Sequence, residues 1–180
     1  MTETLDVRSP FDGTLLATLP VSTEAEVEAA FATAHALFRD RRRWLPKIER
    51  AAILRRAAAI TRSRRDVLAL QVAQESGKPL RDALIEIDRG IDGMDLCVET
   101  LRNEAGHVVP MDLNATSEAR VAFTQMEPIG VVLGLAAFNH PFNLVVHQLA
   151  PAVAVGARPA FSGSARAAGR RPRCCLPSRR

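Results

Sequence analysis

Cysteine is scarce in this 180-residue sequence, with three in all. Cys97 falls within a helical pattern, and Cys174 and Cys175 are adjacent, so neither a disulfide framework nor a zinc-ligand spacing can be assembled from them. Long apolar runs are lacking too. The stretch over residues 129–138 stops at Asn139-His140-Pro141, far short of the roughly 20 residues a membrane-spanning helix needs. The opening Met1-Thr-Glu-Thr-Leu-Asp6 has neither the basic nor the apolar region of a secretory signal, which sets the expectation of a cytoplasmic protein.

Positive charge is missing from most of the chain despite a formal net charge of +4. Residues 157–180 carry seven arginines and no acid, whereas residues 1–156 hold 17 Lys and Arg against 20 Asp and Glu. The body is therefore mildly acidic and offers no basic field to nucleic acid. No aromatic residue follows Phe161 to stack on bases, so the arginine run reads as a solvated tail, and neither nucleic acid nor membrane is expected as a partner. Gly130 and Gly134 do not make a G-x-G-x-x-G fingerprint. Gly77-Lys78-Pro79 lacks the rest of a phosphate loop and reads as a helix stop and restart. His140 and His147 would stand about 10 Å apart along a helix, too far for one ion with ligands near 2 Å, so no metal site is expected.

What is present is the balance of a packed globular chain, 47% apolar and 24% charged. Asp12-Gly13 within the imperfectly alternating residues 5–21 predicts an N-terminal β-hairpin. Thr23 and Glu26 have capping-box spacing ahead of Val27, Ala30, Phe31, Ala34 and Phe38, which predicts a helix over 23–39. A charged connector, Asp40-Arg-Arg-Arg-Trp-Leu-Pro46, leads to a second helix over 48–64. Asp66 is placed to cap a third, which Gly77 stops. Pro79 is placed in the first turn of a fourth, with Leu84, Ile87, Ile91, Met94 and Val98 on one face. From Val108 helix gives way to short apolar runs, with strands expected at 119–126 and 129–135, the second of them buried. A helix over 144–155 ending at Gly156 then completes a strand–turn–helix unit, and the fold class is α/β.

Three segments, in order and at matching spacing, carry a resemblance. Glu75-Ser-Gly-Lys-Pro-Leu80 is similar to an E-x-G-K-P connection, and Glu127-Pro-Ile-Gly-Val-Val132 to an E-P-x-G-V-V strand entry. Leu135-Ala-Ala-Phe-Asn-His-Pro141 with Ala150-Pro-Ala-Val-Ala-Val-Gly156 resembles an I-x-P-[WF]-N-x-P turn and an A-P-A-x-x-x-G helix end. These are features of the aldehyde dehydrogenase superfamily. Phe138-Asn-His-Pro-Phe-Asn-Leu-Val-Val-His147 is similar to its phosphonoacetaldehyde, lactaldehyde and glyceraldehyde-phosphate branch.

The resemblance implies the N-terminal part of that fold over residues 1–156: a β-hairpin, a helical segment and the start of a Rossmann-like cofactor domain. It implies NAD(P)-dependent oxidation of an aldehyde to a carboxylic acid through a cysteine thiohemiacetal, with NAD or NADP as cofactor, a small aldehyde as substrate and homo-oligomeric assembly. Asn139 matches the oxyanion asparagine. Ala136, Ala137 and Phe138 match the turn that borders the nicotinamide-ribose side of the cofactor. Independently, an amide placed directly after a strand of an α/β sheet stands where such sheets bind ligands. The residues alone also allow a turn or capping role for Asn139 and a core role for Phe138.

After Gly156 the resembling family continues with a strand ending in K-P-[SA], yet no lysine follows Lys78 here. Residues 157–180, rich in Arg, Pro, Ala, Gly, Ser and Cys, read as a disordered tail of non-homologous origin with too little apolar content for that strand. A reading-frame shift near 156–158 is the expected origin, which the nucleotide sequence tests directly. The family's nucleophile and general-base glutamate align beyond position 180, so no turnover is expected from these residues alone. Two other readings are a fragment that pairs with full-length subunits through its helices and one whose basic tail binds nucleic acid.

Overall fold

In a computed structural model, residues 3–162 of the chain are described. Strands β1 (Thr4–Arg8) and β2 (Leu15–Pro20) pair antiparallel as the expected hairpin, with Gly13 at φ 75° in its connection. Helix α1 (Glu24–Arg39) begins with the capping box in full: the Glu26 N–H donates to Thr23 Oγ1 at 3.3 Å, and the Thr23 N–H donates to the Glu26 carboxylate at 2.7 Å. A single 3-10 turn, Arg41–Arg43, then leads into the helical layer.

That layer is built from α2 (Lys47–Ser63), α3 (Arg65–Ser76) and α4 (Leu80–Asn103), to which α5 (Pro141–Val155) is added from the far end of the chain. Helix α4 is the hub. Its buried face, Ala83, Ile87, Ile91, Met94, Val98 and Leu101, meets Leu54 and Ala58 of α2, Ala69 and Val72 of α3, and Val146, Ala150 and Ala154 of α5. Two details bring α5 close. Gly90 leaves room for Phe142, since a Cβ there would lie 2.5 Å from the Phe142 ring. At the other end of α5, the Arg50 guanidinium of α2 donates to the Ala154 carbonyl, where a cation suits the negative end of the helix dipole.

The strands are shorter than the sequence suggests. Of 119–126 only β4 (Ala122–Phe123) is extended, paired antiparallel with β3 (Val108–Val109). Ala119 has φ 55° and donates its N–H to the Asp112 carboxylate at 2.7 Å, which bends the backbone where the strand was expected to begin. Strand β5 (Val131–Leu135) forms but is not a buried strand, since only Gly134 is fully covered and Leu133 and Leu135 are about half exposed. Its sheet has just two members among the described residues, and both α1 and α5 pack against it.

Three further expectations need correction. Asp66 does not cap α3; the N-cap is Arg64, and Asp66 lies inside the first turn, where a carboxylate still favours the positive helix end. Pro79 stands just before α4 as its N-cap and not within the first turn. The strand denied to residues after 156 is present: β6 (Arg158–Ser162) pairs in parallel with β5, Val131 opposite Arg158 and Leu135 opposite Ser162. Main-chain bonding sustains that pairing without an apolar-rich sequence. The tail and nucleic-acid readings for residues 163–180 lie outside the described residues.

Candidate active-site turn

The parallel pair β5–β6 and helix α5 make a strand–turn–helix unit whose connection is Ala136-Ala137-Phe138-Asn139-His140. All four residues proposed from the sequence therefore sit side by side at the carboxyl end of β5. Ala136 is half-buried, while Ala137, Phe138 and Asn139 are exposed, Phe138 by 59%. Asn139 is not the cap of α5. That position belongs to His140, and no side-chain capping bond comes from it.

The cap comes from elsewhere in the chain. Glu86, on the buried face of α4 and 2% exposed, accepts the Phe142 N–H at 2.8 Å and the Asn143 N–H at 3.1 Å on Oε1. Two orphan donors of the first turn of α5 are satisfied by one buried carboxylate. Its Oε2 accepts a close hydrogen bond from Lys78 Nζ. Lys78 in turn donates to the Asn139 carbonyl at 2.8 Å. His140 Nδ1 stands 3.4 Å from both Lys78 Nζ and Glu86 Oε2, and one ring nitrogen cannot accept from the first while donating to the second. The start of the turn is held as well: Leu135 donates its N–H to Gln148 Oε1 at 2.7 Å, and its carbonyl accepts from Gln148 Nε2 at 2.9 Å.

Burial pushes the Glu86 carboxyl toward a higher pKa, but the Lys78 ammonium and the Asn143 and Phe142 amides outweigh it and leave the pKa below the ordinary value. Glu86 is thus held as a carboxylate. Lys78 reaches it because Gly77, at φ 71°, ends α3 in the left-handed conformation and turns the chain back toward α4. Sequence reasoning missed both residues. Lys78 was visible as part of E-x-G-K-P with no role attached, and Glu86 had a signal of its own, a carboxylate at helical spacing between Ala83 and Gly90 on an otherwise apolar face.

Cys97 cannot serve this turn as a nucleophile. It lies eleven residues beyond Glu86 on α4, roughly 16 Å at 1.5 Å per residue, and burial raises its thiol pKa. Among the described residues no group of three or more His, Cys, Asp and Glu side chains gathers as a metal site, and no helix is long and apolar enough to cross a membrane.

The sequence profile of the aldehyde dehydrogenase family matches residues 1–165. The chain belongs to the aldehyde dehydrogenase family. The match runs past Gly156 through the whole of β6, in line with the strand seen there. An aldehyde-dehydrogenase-like protein of Sinorhizobium fredii is 35% identical over 150 residues, which are 83% of this chain and 29% of that one. Lactaldehyde dehydrogenase of Methanocaldococcus jannaschii is 30% identical over 154 residues, 86% of this chain and 32% of that one. Among solved structures, aldehyde dehydrogenase 21 from Physcomitrella patens, in complex with the reaction product succinate, superposes with TM-score 0.85 at 29% identity. The superposition covers 92% of this chain and 34% of that one. Glyceraldehyde-3-phosphate dehydrogenase from Methanocaldococcus jannaschii, complexed with NADP, gives TM-score 0.83 at 29% identity over 93% of this chain and 35% of that one. The chain spans about a third of the length of the curated relatives it matches.

Proposed function

We propose that residues 1–162 supply the oxyanion amide and the nicotinamide-side turn for an NAD(P)-dependent oxidation of a short aldehyde to its carboxylic acid. One observation carries the reading: Asn139 is exposed on a turn anchored at both ends, at the carboxyl end of a parallel strand pair, where α/β sheets bind ligands. Its carboxamide N–H groups are free to donate to a carbonyl oxygen as negative charge grows on it. A preorganised donor of this kind is worth roughly 3–4 kcal/mol.

The Ala136–Phe138 stretch suits a cofactor ring beside that oxygen. Ala136 and Ala137 have no bulk beyond Cβ to hold a ligand off the backbone, and the exposed Phe138 ring offers an apolar wall. NAD(P), when bound, supplies the hydride acceptor. The names of relatives that act on lactaldehyde and 3-sulfolactaldehyde favour a short aldehyde bearing a neighbouring hydroxyl. A cytoplasmic location and homo-oligomeric assembly belong to the same proposal. The exposed apolar side chains of Val108, Val121 and Phe123 support the latter.

Two measurements test it. Titration of NAD or NADP into the ¹⁵N-labelled chain should move the amide resonances of Ala136–His140 first. In a chimera carrying residues 1–162 in front of the remainder of the Methanocaldococcus lactaldehyde dehydrogenase, Asn139→Ala should lower kcat by roughly 10²–10³-fold. A chimera whose kcat is unchanged by that substitution overturns the assignment.

A further inference from the structure

The geometry points to Lys78 and Glu86 as positioning residues that pin the Asn139 turn against α4, with Gln148 pinning its other end. The inference rests on the reading of Asn139 as the oxyanion donor.

A charge pair buried this deeply is a poor source of stability in itself, because desolvation offsets most of its attraction. What distinguishes this one is where its remaining bonds go. Glu86 Oε1 takes the amides of Phe142 and Asn143, just after the turn, while Lys78 takes the Asn139 carbonyl, inside it. Gln148 brackets Leu135 with a donor and an acceptor, just before the turn. The peptide of Asn139 is thereby fixed while its side chain stays open to solvent. None of the three anchors belongs to the turn, so its geometry is set by α4, by α5 and by the loop between α3 and α4. A reacting oxygen tolerates little displacement of its donor, and a shift of about 1 Å can lower a rate by about 10²-fold.

The test uses the full chain. Backbone ¹⁵N relaxation should show Asn139 and His140 as rigid in the wild type, with order parameters near 0.85. In Lys78→Met they should fall below about 0.6 while α2 and the centre of α4 keep their values. Lys78→Arg, which retains a donor able to reach Glu86 and the Asn139 carbonyl, should restore most of the rigidity. Unchanged order at 139–140 in Lys78→Met, or no recovery with Arg, overturns the inference. Should Lys78→Met fail to fold, Gln148→Ala, which removes the other anchor, must loosen residues 135–137, and its failure to do so is equally fatal.

The chimera separates the two claims. If pinning holds and the Asn139 role does not, Lys78→Met loosens the turn while Asn139→Ala leaves kcat intact. If the Asn139 role holds and pinning does not, Asn139→Ala lowers kcat while Lys78→Met changes neither kcat nor the turn.

Discussion

Glu86 concentrates several obligations in one carboxylate: two backbone amides, one ammonium and a place in the apolar face of α4. Replacing it with Ala leaves both amides without their acceptor and deprives Lys78 of its carboxylate partner. Breaking a buried pair from one side costs on the order of 3–5 kcal/mol, readable as a drop in the urea midpoint. Its pH behaviour follows from the direction of its shift. The folded-state pKa lies below the ordinary 4.5, so its contribution is complete above that pH and is lost as pH falls through the lower, folded value. Urea unfolding of the wild type should therefore weaken more between pH 6 and about pH 3 than unfolding of Glu86→Gln, which has no carboxylate to protonate at that position. Equal losses in the two proteins would contradict this account. At this scale the sequence was legible where a local motif set a residue's place, as for Asn139, which stands on the expected turn after β5. It was illegible for Lys78 and Glu86, whose importance comes from a contact between residues far apart in the chain.

Among the elements, the close approach of α4 and α5 decides where the turn sits. Gly90→Ala would drive a methyl into the Phe142 ring, and overpacking of this kind typically costs 1–3 kcal/mol. The substitution should lower the thermal midpoint and also perturb the amide resonances of Phe142 and Asn143, even though Ala is the better helix former. A rise in stability would mean that the two helices are not held as described. Helices were the legible elements, because caps and 3.6-residue periodicity are local: Thr23 with Glu26, Gly77, and the stripe from Leu84 to Val98 all appear where expected. Strands were less legible because pairing is not local. Nothing in residues 119–126 announces the Asp112 bond that bends Ala119, and Arg158–Ser162 reads as a poor strand until β5 is placed beside it.

For the molecule as a whole, apolar side chains outside the helical core remain uncovered. Val108, Val121, Phe123 and Ile129 are each at least 70% exposed. Surfaces of that kind mark contacts with other protein, so the chain should self-associate, and Val121→Lys with Phe123→Lys should shift sedimentation toward monomer while far-UV circular dichroism stays the same. The parallel register of β5 and β6 has a last consequence. Ser162 lies opposite Leu135, four residues before Asn139, with about one interstrand spacing between them. A fluorophore or cross-linker attached at position 162 would thus begin its tether opposite the last residue of β5, where the turn carrying Asn139 starts, and should report on movements of that turn.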